Sequence, residues 1–216
     1  MGAAERRTLT AAISVACPLT LFVTAWWSAA CLAMCHLVAI HERGIMLLAL
    51  GGLCAGIALA AWKARTWAVR VYETNWLLTA PLFLVWSAMA TALFMGLPIG
   101  NLALGAAAGF FIGRKARHEG AAPRESTHAA GRAGVFTAAV AGCIALPMGI
   151  LAVLDVHTMQ TLLSLVGCSR IADTWAGGTA VIAAAVPLVV PAQYLLTRWT
   201  AIKAYGLDAP SVENVA

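Results

Sequence analysis

Charge is what this sequence has least of. Asp, Glu, Lys and Arg make up 11% of its 216 residues, where a soluble domain carries about 25%. A chain so poor in charge cannot clothe a water-facing surface. A bilayer removes that difficulty, because lipid accepts an apolar exterior. Acids are scarcer than bases, 9 against 14, and none lies in the middle of an apolar run. Proton- and cation-coupled carriers usually need such a residue. GxSxG, HExxH, P-loop and Rossmann patterns are also missing, which favours a protein that is not an enzyme. The sequence identifies no cofactor. There is no CxxC pair among the 6 cysteines, so no recognised metal spacing appears.

What is present is apolar: 62% of the chain. A spanning helix needs about 20 such residues. The runs predict an all-α integral membrane protein, a bundle of about six transmembrane helices with both termini cytoplasmic. The expected spans are about 9–40, 45–61, 77–96, 101–113, 133–154 and 176–197. They form a single helical domain over 1–200, with 114–132 as a basic cytoplasmic loop and 201–216 as a cytoplasmic tail. The first run is too long for one upright span and too short for two, and Pro18 offers a break. Arg6 and Arg7 followed by an apolar stretch resemble a signal peptide; they are read here as the start of an uncleaved first span. The stretch 76–113 has no charged residue and is too long for one helix, so it turns at Gly96-Leu97-Pro98-Ile99-Gly100-Asn101.

The cations set the orientation. With the N-terminus inside, the inner side holds Arg6, Arg7, Lys63, Arg65, Arg70, Arg114, Lys115, Arg117, Arg124, Arg132, Arg198 and Lys203. Only Arg43 and Arg170 fall outside, and these two sets account for all 14 Lys and Arg. An even number of spans is needed for this split. A net charge of +5 would suggest nucleic acid in a soluble protein. Here the basic residues flank apolar runs, so they meet anionic lipid instead, and no nucleic acid is expected.

Three constellations stand out. Small residues recur every four positions at Gly52 and Gly56, at Asn101, Gly105, Gly109 and Gly113, and at Ala141, Ala145 and Gly149. Such stripes let helix backbones approach closely, within the bundle or against a second copy or another membrane protein. Asn101 is the exception among them, because an amide in hydrocarbon needs a partner. Prolines at 98, 147, 187 and 191 mark helix breaks, as kinks or as site-forming interruptions: Pro98, Pro147, Pro187 and Pro191. On the outer side, Cys31, Cys35, His36, His41 and His157 are the candidate metal ligands, since thiolate and imidazole suit Zn or Cu. A disulfide from Cys31 or Cys35 to Cys168 competes with that reading.

In size and expected span count the chain resembles the membrane-embedded substrate-binding subunits of energy-coupling-factor vitamin transporters. No motif carries the resemblance, so it implies no residue roles. The expected function is a small-solute transport component that binds a neutral or apolar solute between its helices. One alternative is a non-catalytic membrane subunit or assembly factor that docks a partner through its small-residue faces. Another is an outer-face metal or thiol redox membrane protein. The expected location is a bacterial or archaeal cytoplasmic membrane. Reporters fused after Arg124 and at the C-terminus are expected to read cytoplasmic, and one placed within 156–172 external. An external C-terminus overturns the six-span arrangement.

Overall fold

Caps and small residues, as much as the apolar runs, decide where these helices begin and end. The computed structural model describes residues 3–94, 99–165, 167 and 174–207. Among them the regular structure is entirely helical: α1 (Ala3–Met34), α2 (Glu42–Arg70), a 3-10 turn (Val71–Glu73), α3 (Trp76–Leu93), α4 (Ile99–His118), α5 (Pro123–Leu154), α6 (Val156–Leu165) and α7 (Trp175–Gly206). Five of these, α1, α2 with its 3-10 turn, α3, α5 and α7, are long and apolar enough to cross a membrane. The fold is consistent with a helical membrane protein.

Several boundaries differ from the apolar runs. α1 begins at Ala3, ahead of the expected 9, and ends at Met34, short of 40. α2 continues past 61, because Ala64 and Ala68 extend the buried stripe that begins at Ala49, Gly56 and Ala60. The stretch 114–132, read from its polar composition as a loop, is helical except at 119–122. Pro123 starts α5 with a preset φ, and the Glu125 carboxylate accepts from the Ala122 N–H at 3.0 Å. The turn is also tied to the end of α7. Tyr205 donates its hydroxyl to the Ala121 carbonyl at 2.8 Å. The Arg117 guanidinium lies 5.7 Å from the Tyr205 ring centroid. Arg114 is buried and donates to the Leu207 carbonyl at 3.3 Å.

Helices run through their prolines. Pro147 lies inside α5, and Pro187 and Pro191 lie inside α7. Pro18 and Pro81 do the same in α1 and α3. A missing N–H is tolerated where neighbouring helices or local adjustment absorb the freed carbonyl. Pro98 lies outside the described residues.

Within the range the sequence assigns to one domain, the helices fall into two compact units, Met1–Thr74 and Asn75–Ala216. In the first, α1 and α2 pack antiparallel. A Cβ at Gly52 would meet the Leu21 carbonyl, and one at Gly56 would overlap Pro18. Tyr72 donates to the Glu5 carboxylate at 2.9 Å, joining the two ends.

In the second unit α7 packs along both α4 and α5. The α4 glycines meet α7 in register: Gly105 faces Gln193 and Thr197, Gly109 faces Thr197 and Thr200, and Gly113 faces Ala201 and Ala204. Residue numbers rise together, so the two helices run parallel. α5 runs antiparallel to α7, with Gly134 against Tyr194, Gly142 against Val190 and Gly149 against Val186. Ala141 and Ala145 of α5 are also buried. α6 packs Met159 and Leu163 against Val181 and Ile182, and Gly178 leaves the space for Met159. Asp155 caps α6. Its carboxylate accepts from the His157 and Thr158 N–H groups at 3.2 and 3.1 Å. The hydrogen bond from the Thr158 hydroxyl, reinforced by those backbone bonds, holds the carboxyl below its usual range.

A Cβ at Gly109 would overlap the Thr197 carbonyl, which is backbone and cannot swing aside. Gly109→Leu is therefore expected to lower stability by about 1–3 kcal/mol, read as a lower melting temperature in detergent. A variant that melts with the parent would show that α4 and α7 do not meet along this stripe.

Candidate functional site

Four helices of the second unit bring uncharged polar side chains to one place. α3 supplies Ser87 and Thr91, α4 Asn101, α5 Thr137, and α7 Gln193 and Thr197, all buried. Membrane interiors offer no water, so each of these groups has to find a protein partner. Asn101 donates its side-chain N–H to the Thr91 hydroxyl at 2.9 Å. The Thr91 hydroxyl donates to the Ser87 carbonyl at 2.8 Å. Gln193 donates to the Asn101 backbone carbonyl at 3.0 Å. The Thr137 and Thr197 hydroxyls share a hydrogen bond of 2.9 Å. The cluster exists because Gly105 has no side chain. A Cβ there would occupy the place of the Gln193 carboxamide.

The cluster is not fully satisfied. Ser87 Oγ, Asn101 Oδ1 and Gln193 Oε1 have no hydrogen-bond partner. Its members are amides, hydroxyls and backbone carbonyls, so it can exchange hydrogen bonds with a neutral group but carries no base to activate a hydroxyl. Arg114, the buried charged residue among those described, sits past the end of the glycine stripe.

A groove of about 650 Å³ lies along α5 and α7. Gly142, Leu146 and Gly149 form one wall, and Val186, Pro187 and Val190 the other. Every lining side chain is apolar. Pro187 and Pro191 have no N–H to give to the carbonyls of Ala183 and Pro187, which also line the groove.

The small residues found in the sequence are brought against neighbouring helices: Gly52 and Gly56 against α1, Asn101, Gly105, Gly109 and Gly113 at the buried face of α4, and Ala141, Ala145 and Gly149 on α5. The outer Cys and His residues are placed differently. Cys31 and Cys35 are exposed free thiols at the end of α1. His36 and His41 line one cleft of about 460 Å³. His36 adopts a left-handed backbone, φ 53°, and His41 caps α2 by accepting from the Arg43 N–H at 3.4 Å. His157 lies in the first turn of α6, in the other unit. Among the described residues, no three His, Cys, Asp or Glu gather as a metal site. Cys168 lies outside the described residues.

Sequence reasoning singled out Asn101 but missed Ser87, Thr91, Thr137, Gln193 and Thr197. The available signal was Gln193, an amide inside an apolar run, with Thr197 one turn on and therefore on the same face.

Fold and site together define an all-helical chain, consistent with a multi-pass membrane protein, built around an uncharged polar cluster. No family model matches the sequence, and neither a curated protein nor a solved structure matches it.

Thr137→Val keeps the side-chain shape and removes the bond to Thr197. Bonds between membrane helices are worth about 0.6 kcal/mol on average and at most about 1.7. The variant is expected to lose an amount in that range in reversible unfolding, while Thr127→Val, at an exposed position, loses none. Equal loss in both would remove Thr137 from the cluster.

Proposed function

We propose that the protein is a six-span membrane protein with both termini in the cytoplasm, acting as a transport component for a small neutral or apolar solute. The sixth span is α4. It is less apolar than the other five because it stands inside the second unit, where glycines and Asn101 face protein rather than lipid. Its 20 residues rise about 30 Å, close to the hydrocarbon thickness. It runs parallel to α7, as two spans that both enter from the outer side have to. That direction agrees with the twelve-to-two division of the cations.

The observation that carries the functional reading is the groove along α5 and α7. It is apolar throughout and lies on the helix that also holds Gln193 and Thr197. An ionic solute would find no counter-charge there. A neutral, mostly apolar solute would match the lining.

A second reading, a membrane subunit that docks a partner, has one specific observation in its favour. The stripes at Gly52 and Gly56 and along α4 are occupied by this chain's own helices. The opposite face of α2, however, leaves Gly51, Cys54, Ala55 and Ala58 exposed, and nothing lies within 4 Å of where a Gly51 side chain would begin.

Binding of neutral apolar fluorophores to the protein in nanodiscs tests the first reading. Val186→Trp, which fills the groove, is expected to weaken binding at least about tenfold, the effect of roughly 1.4 kcal/mol. Leu195→Trp, at an exposed position outside the groove, is expected to leave it unchanged. Equal affinities in parent and Val186→Trp would overturn the groove as the binding site. A partner that co-purifies stoichiometrically and is released by Gly51→Leu would favour the subunit reading instead.

A further inference from the structure

The first unit carries an open cleft of about 750 Å³ that the solute reading does not use. It lies where the start of α1 meets the end of α2. Arg6, Arg7, Thr10 and Ser14 line it from α1, and Arg65 and Thr66 from α2. These positions follow helical spacing on each side, so two helix faces are turned toward one space. Three guanidinium groups therefore surround a single cleft.

Their charge is not balanced from within. Among the described residues no carboxylate pairs with Arg6, Arg7 or Arg65; the ion pair present is Lys115 with Glu119, in the other unit. Glu5 is the nearest acid in sequence, and its carboxylate accepts the Tyr72 hydroxyl instead. Like charges so gathered repel one another, and an anion between them reverses the sign of the interaction. Hydroxyls complete the set. Thr10 donates its hydroxyl to the Arg6 carbonyl at 2.8 Å, whereas Ser14 and Thr66 have no hydrogen-bond partner among the described residues and can donate to a ligand. Planar guanidinium forks bind the oxygens of phosphate bidentately, and a phosphate has oxygens enough to take several forks and the flanking hydroxyls at once.

The floor points to the source of that phosphate. Ala11 and Val69 place apolar surface directly beside the arginines. A free phosphate ion gains nothing from it, but a phospholipid carries its phosphate next to glycerol and acyl carbon. We propose that this cleft is a binding site for the phosphate of an anionic phospholipid head group at the inner leaflet. The assignment to the inner leaflet rests on the cytoplasmic N-terminus proposed above. The phosphate chemistry itself does not, and neither depends on the solute groove. A basic pocket between membrane helices on the cytoplasmic side is the setting in which such head groups are held.

Native mass spectrometry of the intact protein, released from nanodiscs of phosphatidylcholine with a minority of phosphatidylglycerol, tests the proposal. The wild type is expected to retain phosphatidylglycerol in preference to phosphatidylcholine. The Arg6→Gln/Arg7→Gln/Arg65→Gln variant is expected to lose that preference, by on the order of 100-fold if each arginine contributes about fivefold. All three side chains are exposed, so the variant should melt with the parent. Arg198→Gln/Lys203→Gln removes two cations elsewhere and is expected to keep the preference. Loss in both variants would mean a diffuse charge effect and overturn the site. Retention in the arginine variant would overturn it directly. Titration of inorganic phosphate into the protein in phosphatidylcholine nanodiscs separates the sources. If phosphate binds with the arginine dependence while phosphatidylglycerol shows no preference, the lipid assignment is overturned and the cleft takes a free anion.

Discussion

The contact on which the second unit depends is made by glycine. Gly105, Gly109 and Gly113 bring the α4 backbone against the side chains and carbonyls of α7 at three successive turns. Lipid gives helices no hydrophobic reason to associate, so close dispersion contact and hydrogen bonds have to do it. The approach supplies both. With no Cβ at Gly105, Gln193 fills the space and donates to the Asn101 carbonyl. Asn101 then reaches Thr91 on α3, and Thr197 reaches Thr137 on α5. Four helices are thus tied through one glycine-lined seam, and any side chain in the seam separates the polar partners as well as the backbones.

That seam divides α7 along its length. From Ile182 to Val190 the helix is apolar and lines the groove with α5. From Gln193 to Ala204 one face of the helix, Gln193, Thr197, Ala201 and Ala204, is polar or small and packs against α4. Pro187 and Pro191 fall at the junction. The polar cluster itself carries no charge, which keeps its desolvation cost low, because a neutral cluster needs hydrogen bonds but no counter-ion.

Much of the helical framework was legible in the sequence, since apolar runs and small-residue stripes report directly on what lipid and neighbouring backbones require. Helix ends were less so. Polar composition at 114–132 suggested a loop, but Ser126 and Ala130 are buried and the turn needs only 119–122. Charge marks where a helix leaves the hydrocarbon, not where it stops. The polar cluster was mostly hidden for another reason. Ser and Thr are common in membrane helices, and the bonds that matter join residues 10, 60 and 92 positions apart. Only the amides, Asn101 and Gln193, are costly enough alone to announce a partner. The outer cysteines and histidines show the limit of composition. His36 and His41 share a cleft, yet each already has a local backbone role, in the turn and at the cap of α2.

Both units use the same packing device to bury different chemistry. In the first, the buried positions are small or apolar apart from Tyr72, and most of the charged groups gather at one end, where Tyr72 meets Glu5 and the three arginines line their cleft. In the second, the polar cluster joining four helices is buried and carries no charge, and the buried Arg114 lies past the end of the glycine stripe. A helical pair with most of its charge at one end resists drawing that end into the hydrocarbon, and its arginines gain from anionic head groups. A bundle with a neutral polar cluster satisfies its buried groups through hydrogen bonds alone. Charge at the rim and neutrality at the centre follow from one rule: in hydrocarbon a polar group needs a partner, and a charge needs a counter-charge.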